Sequence, residues 1–261
     1  MDLGLDLLAL LMAAAFIAGM IDAIAGGGGL ITIPALLAAG VPPVAALATN
    51  KLQSTFGTAG AVIAFARRGR IDFRRFALPA LAAFIGSALG AFVLTRVDPG
   101  FLAALLPILL VAMAFYFVFA PKMTDEDRHS RAGSGLLFVV AMAIGAYDGF
   151  FGPGTGAFIT TALVAVFGLG LIRAVAHAKL LNLASNLSAL AVLVAGGHVL
   201  WVTGLAMAVA SVAGGQVGVY AAVRFGAGIA RILLIVMSFA LTAKLLSDPT
   251  NPLTAALAAY W

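Results

Sequence analysis

The sequence predicts an all-α polytopic membrane protein made of two inverted repeats. Each repeat is expected to hold a glycine-broken or re-entrant helical hairpin plus about three transmembrane helices. Three observations predict this. Of 261 residues, 63% are hydrophobic and 10% charged, whereas a soluble domain carries roughly a quarter charged residues. The segments "GMIDAIAGGGGL" (19–30) and "GAYDGFFGPGTG" (145–156) each set an Asp four residues before glycines that cannot sustain a helix. The arginine-rich loop, finally, takes a different place in each half.

The elements follow in order. The stretch 3–25 is long enough to span, which takes roughly 20 residues, and it runs into Gly26–Gly29. A short helix is expected to begin near Thr32, with Pro34 in its first turn, where proline is accepted. Apolar stretches at 43–66, 76–95 and 100–120 come next. The polar segment "PKMTDEDRHSR" (121–131) reads as a cytoplasmic connector. It divides a first repeat (1–120) from a second (134–261), with 121–133 between them. The second repeat offers stretches at 134–151, 171–195, 199–223 and 227–246, and a short helix beginning near Thr155. Thirty glycines suit a bundle in which small residues let helices approach closely. Asp2 and Asp6 replace the basic start of a cleaved signal peptide. Cysteine is absent, which excludes disulfides and thiol chemistry.

A shift of 126–128 residues aligns the halves. Gly19 and Asp22 fall on Gly145 and Asp148, and Gly26–Gly29 on Gly152–Gly156. Gly40 falls on Gly168, and Arg96 on Arg224. "TNKLQSTF" from Thr49 falls on "HAKLLNLA" from His177, so Lys51 meets Lys179. The loop "RRGRIDFRR" (67–75) holds five arginines, and its partner "GGHVLW" (196–201) holds none. The basic loop therefore changes position between repeats, as expected of halves lying upside down to each other. If each glycine break makes a hairpin, eleven Lys/Arg fall inside and two (Arg96, Lys244) outside. If each crosses fully, the split is nine to four. The positive-inside rule favours the hairpin. It also accounts for the net charge of +5 without nucleic acid. Tyr260 and Trp261 suit an outer interfacial anchor or, equally, a disordered tail.

The breaks have a physical use. Exposed backbone groups within a membrane are tolerated only where protein or a wet cavity surrounds them. A helix starting at such a break aims its free N–H groups and positive dipole end into that cavity, which suits an anion. Lys51 and Lys179 each lie eight residues into a span, roughly 12 Å deep. A buried ammonium costs roughly 3 kcal/mol or more, so each needs a partner. One candidate is the acid of its own half, Lys51 with Asp22 and Lys179 with Asp148, or else snorkelling to the interface. The other is a bound anion. Residues 51, 54, 55 and 58 share one helical face, as do 179, 182 and 186. The expected binding residues are Gly26, Gly27, Gly28, Gly29, Asn50, Lys51, Ser54, Gly152, Gly154, Thr155, Lys179, Asn182 and Asn186. Asp22, Asp148 and His177 are candidates for proton coupling or for structural roles, since histidine titrates near neutral pH.

These same residues carry a resemblance. The glycine break after "GxxD", the stripes "TNKLQS" and "HAKLLNLASN", and "GAYDGFFGPGTG" resemble the TauE/SafE family, the sulfite exporter-like permeases of the TSUP group. The likeness covers nearly the whole chain. The first half departs from the second at Gln53-Ser54, where the second has Leu181-Asn182. The resemblance implies a bacterial cytoplasmic-membrane transporter of sulfite or organosulfur anions. A secondary transporter working by alternating access is therefore expected, with a passive anion channel as the alternative. Its partners would be a small anion, the bilayer and a coupling ion (proton or sodium), and a homo-oligomer is compatible with this. No enzyme activity, cofactor, metal or nucleic acid is expected. Neither Gly-x-x-x-x-Gly-Lys-Ser/Thr nor His-Glu-x-x-His occurs, which argues against ATP-driven and zinc-protease chemistry.

Overall fold

A computed structural model describes residues 4–119, 133–225 and Val236. The 121–131 connector, most of the 227–246 span and the Tyr260–Trp261 anchor lie outside the described residues. Among the described residues the regular structure is helical: α1 (Leu5–Ala25), α2 (Gly29–Ala38), α3 (Pro43–Arg67), α4 (Phe73–Leu94), α5 (Pro99–Phe119), α6 (Ser134–Phe150), α7 (Thr155–Ala165), α8 (Leu171–Ala195) and α9 (Trp201–Phe225). α6 to α9 occupy the places of α1 to α4 in the aligned sequence.

Local chemistry sets the ends. α1 stops at Gly26, whose φ of 70° is left-handed, a conformation that favours glycine. The chain then reverses. Gly28 lies against the Ala18 carbonyl and the Asp22 side chain, where a continuing helix would have carried it roughly 15 Å onward. α1 and α2 thus form a hairpin. α2 begins at Gly29, earlier than the expected Thr32, because the Gly27 and Gly28 carbonyls already accept the N–H groups of Leu30 and Ile31. Pro34 therefore sits inside α2, not in its first turn. α7 begins at Thr155 as expected. Pro43 opens α3, and Asp72 caps α4 by accepting the Arg75 N–H at 2.9 Å.

Among the described residues, five helices are long and apolar enough to cross a membrane: α1, α4, α5, α8 and α9. α3 has the length, 25 residues, but it carries the polar run Thr49–Ser54. α6, at 17 residues, falls just short. Leu78, Leu81, Leu89 and Phe92 leave half or more of their surface exposed on α4, as a lipid-facing helix should. The chain is a multi-pass membrane protein.

Two glycine-lined seams join the halves, and each occupies the other's place in the aligned sequence. In one, Gly86 and Gly90 of α4 face the Met142 and Ala146 carbonyls of α6, while Gly145 and Gly149 face Ala83 and Ser87. In the other, Gly214 and Gly218 of α9 face the Phe16 and Met20 carbonyls of α1, and Gly19 faces Ser211. A Cβ at any of these positions would strike backbone. Van der Waals packing of small residues is the main attraction available between helices in lipid. Both seams run parallel, since contacts advance in the same direction along each pair. The equivalent helices α3 and α8, by contrast, run antiparallel. Thr49 at the start of α3 meets Leu200 beyond the end of α8, and Asp72 beyond the end of α3 meets His177 near the start of α8.

Candidate functional site

The two helix breaks meet. A Cβ at Gly26 would lie 3.2 Å from the Ala157 nitrogen, and one at Gly29 would lie 3.3 Å from Pro153 Cα. Tyr147 steadies the second break by donating its hydroxyl to the Pro153 carbonyl at 2.6 Å. Around this junction lies a cavity of about 30 Å³, room for about two waters. Asp22, Gly26–Gly29, Asn50, Lys51, Ser54, Asp148, Gly152, Gly154, Thr155, Asn182 and Asn186 all line it, with Thr58 and Gly156.

The lysines are paired, but not within their own halves. Lys51 Nζ lies 2.8 Å from Asp148 Oδ1, and Lys179 Nζ lies 2.7 Å from Asp22 Oδ2. The expected pairs, Lys51 with Asp22 and Lys179 with Asp148, are therefore corrected. The reason is the packing just described: antiparallel α3 and α8 lay each lysine beside the break of the other half. Lys51 also donates to Asn186 Oδ1 at 3.1 Å, and Lys179 to the Asp22 carbonyl at 2.8 Å. Thr155 donates its hydroxyl to Asp148 Oδ1 at 2.8 Å. Gly28 donates its N–H to Asp22 Oδ1 at 3.3 Å. Asn186 donates to Asn182 Oδ1 at 3.1 Å, and Thr32 to Asn50 Oδ1 at 2.6 Å.

The two pairs differ in wetness. Both partners of Lys51–Asp148 are 2% exposed. In the other pair Lys179 is 4% exposed and Asp22 28%. Asp148 Oδ2 is buried with no hydrogen-bond partner among the described residues. Buried polar atoms are rarely left so. Gly152 is doubly constrained: its φ is 100°, and a Cβ there would lie 2.8 Å from Lys51 Nζ.

Two expected residues stand apart. Lys179 is not in the lining of the small cavity and faces a larger neighbouring one. His177 is absent from both linings. Its Nε2 accepts the Asp72 N–H at 3.0 Å, its Nδ1 lies 2.7 Å from the Arg173 carbonyl, and its ring stacks on Phe76. The bond has a counterpart: Thr49, aligned with His177, accepts the N–H of Leu200, aligned with Asp72, at 3.2 Å. His177 thus tethers the start of α4. The His177→Ala variant is expected to lose about 1 kcal/mol of stability, the net worth of one hydrogen bond, since Asp72 is exposed and its N–H can turn to water, while the pH dependence of transport stays unchanged. Thermal unfolding and flux at two pH values check this.

The sequence reading did not assign Thr32, nor the bond of 2.8 Å between Gln53 Nε2 and Ser211 Oγ. Thr32 could have been found as the polar residue one turn into the first broken helix.

The sequence matches the family described as Sulfite exporter TauE/SafE over residues 11–245. The chain belongs to the TauE/SafE family. This family member is 48% identical over 254 residues (97% of each chain) to a probable membrane transporter protein, ORF9, of a Sinorhizobium species. It is 44% identical over 250 residues (95% of this chain, 98% of the relative) to a probable membrane transporter protein of Haemophilus influenzae. It is 42% identical over 243 residues (93% and 90%) to the probable membrane transporter protein YfcA of Escherichia coli K12. No solved structure matches. The chain is accordingly a membrane transporter of the TauE/SafE type.

Proposed function

We propose that this chain is a secondary transporter that moves small sulfur-containing oxyanions, sulfite or sulfonates, across the bacterial cytoplasmic membrane by alternating access. The observation that carries this reading is the crossed pair of ion pairs, Lys51–Asp148 and Lys179–Asp22, at the junction of two helix breaks. Each aspartate holds the place on its lysine that an oxyanion would take. Exchange of carboxylate for substrate would loosen one half from the other, because each pair joins the two halves. The donors around the junction, Asn50, Ser54, Asn182 and Asn186, suit the several oxygens of such an anion.

Inverted repeats are supported by antiparallel α3 and α8, which are equivalent helices, and by the reversal at Gly26–Gly28. The basic 67–75 loop would then lie in the cytoplasm by the positive-inside rule. Asp148 is the stronger candidate for a coupling proton. Its Oδ2 is unpartnered, and protonation there would release Lys51 to the substrate. Asp22 uses both oxygens. The sulfur class draws on the family description alone. The sealed Lys51–Asp148 pair argues against a passive channel.

Flux in proteoliposomes tests the reading, with a panel of sulfite, sulfonates and carboxylates under imposed proton or sodium gradients. Saturable, gradient-driven movement of a sulfur oxyanion is expected. Movement of carboxylates only would remove the sulfur assignment, and flux that never saturates would make the protein a channel.

A further inference from the structure

Beside the central junction lies a cavity of about 120 Å³ bounded by α1, α3 and α9. Lys179 and Asp22 stand at its deep end. From there it follows the last three turns of α3, past Gly57, Gly60 and Ala64, to Arg68 in the basic loop. Arg68 is exposed. Two cations against one carboxylate leave the space electropositive.

Three of the glycines lining it, Gly57, Gly60 and Gly215, are not explained by packing. A Cβ at Gly60 would meet nothing within 4 Å, one at Gly57 only Ser211 Oγ at 3.4 Å, and one at Gly215 only the Gly19 carbonyl at 3.7 Å. This contrasts with the seam glycines, which touch backbone. The aligned positions in the other half are serines: Ser185 for Gly57, Ser188 for Gly60 and Ser87 for Gly215. All three are buried and close the α4–α8 seam. Ser87 donates to the Ser185 carbonyl at 2.6 Å, and Ser188 to the Phe84 carbonyl at 2.6 Å. One route to the junction is thus kept open by missing side chains, and its equivalent is zipped by hydroxyls. Asp22 is 28% exposed and Asp148 2%, in keeping with that asymmetry.

We propose that the α1–α3–α9 cavity is an admission site for a small anion, reached from the face of the 67–75 loop, with Arg68 at its mouth and Lys179 at its floor. The serine-zipped α4–α8 seam is its closed counterpart. The proposal rests on the transport reading for its purpose, but its test needs no transport.

The chain has no native cysteine, so single cysteines report cleanly. Gly60→Cys and Ser188→Cys are compared in membrane vesicles of both orientations, with anionic and cationic methanethiosulfonates of similar size. Arg70→Cys marks the face of the basic loop. Gly60→Cys is expected to label only from that face, with the anionic reagent about tenfold faster than the cationic one, as steering into a charged cleft allows. Arg68→Gln in the same background should narrow that ratio, as should high salt. Ser188→Cys should label at least tenfold more slowly from either face. Gly57→Cys gives a second reading if Gly60→Cys does not fold. A silent Gly60 and Gly57, a faster cationic reagent, or equal labelling at Ser188 would overturn the proposal. Failure of the flux panel with this labelling intact would overturn the substrate class and leave the admission site standing.

Discussion

The Lys51→Met variant is expected to lose about 3–5 kcal/mol of stability, the usual cost of removing one partner of a buried ion pair. Asp148 would be left 2% exposed, with Thr155 as its donor and no counter-charge. The double variant Lys51→Met/Asp148→Asn should regain most of that loss, because a neutral amide keeps the Thr155 bond and needs no counter-charge. Lys179→Met should be milder, since Asp22 is 28% exposed and can turn to water. Chemical denaturation in mild detergent, analysed as a double-mutant cycle, checks the order. Equal losses in Lys51→Met and Lys179→Met would contradict the assigned asymmetry.

The Gly152→Ala variant is expected to fold and to transport at least tenfold more slowly. An L-residue at φ 100° is strained by about 1–2 kcal/mol, too little to unfold a domain. The added methyl, however, would lie 2.8 Å from Lys51 Nζ and 3.3 Å from Asp148 Oδ1. Both partners of the sealed pair must then shift, at the point where the substrate is proposed to take the carboxylate's place. Gly133→Ala is the control. Its φ is −79°, a Cβ there meets nothing within 4 Å, and it should transport normally. Initial flux rates in proteoliposomes, normalised to reconstituted protein, separate the two.

Much of this arrangement is legible in the sequence, because lipid narrows the options. The helical membrane fold and the two glycine breaks follow from hydropathy and from the spacing of Asp22 and Asp148. The cavity lining follows from the polar faces of α3 and α8. The pairing of charges is not legible in that way. Lys51 is nearer in sequence to Asp22 than to Asp148, and only the antiparallel crossing of α3 and α8 brings the distant acid to it. His177 reads as a titrating residue until its alignment with Thr49 is given structural meaning, when both become acceptors for a backbone N–H. The admission cavity was written in the alignment as three Gly-to-Ser exchanges. Which glycines strike backbone and which face open space is a property of the packed helices. The early start of α2 depends likewise on two carbonyls of the glycine turn.

Anion binding to the purified protein tests the central claim most directly. Sulfite, a small sulfonate and a neutral sulfone of similar size would be titrated against the wild-type chain and against Lys51→Met/Asp148→Asn. Saturable binding of a charged sulfur ligand to the wild type, weakened at least tenfold in the folded double variant and absent for the sulfone, is the result expected. Equal affinity in both proteins would show that the crossed lysine–aspartate junction does not hold the anion.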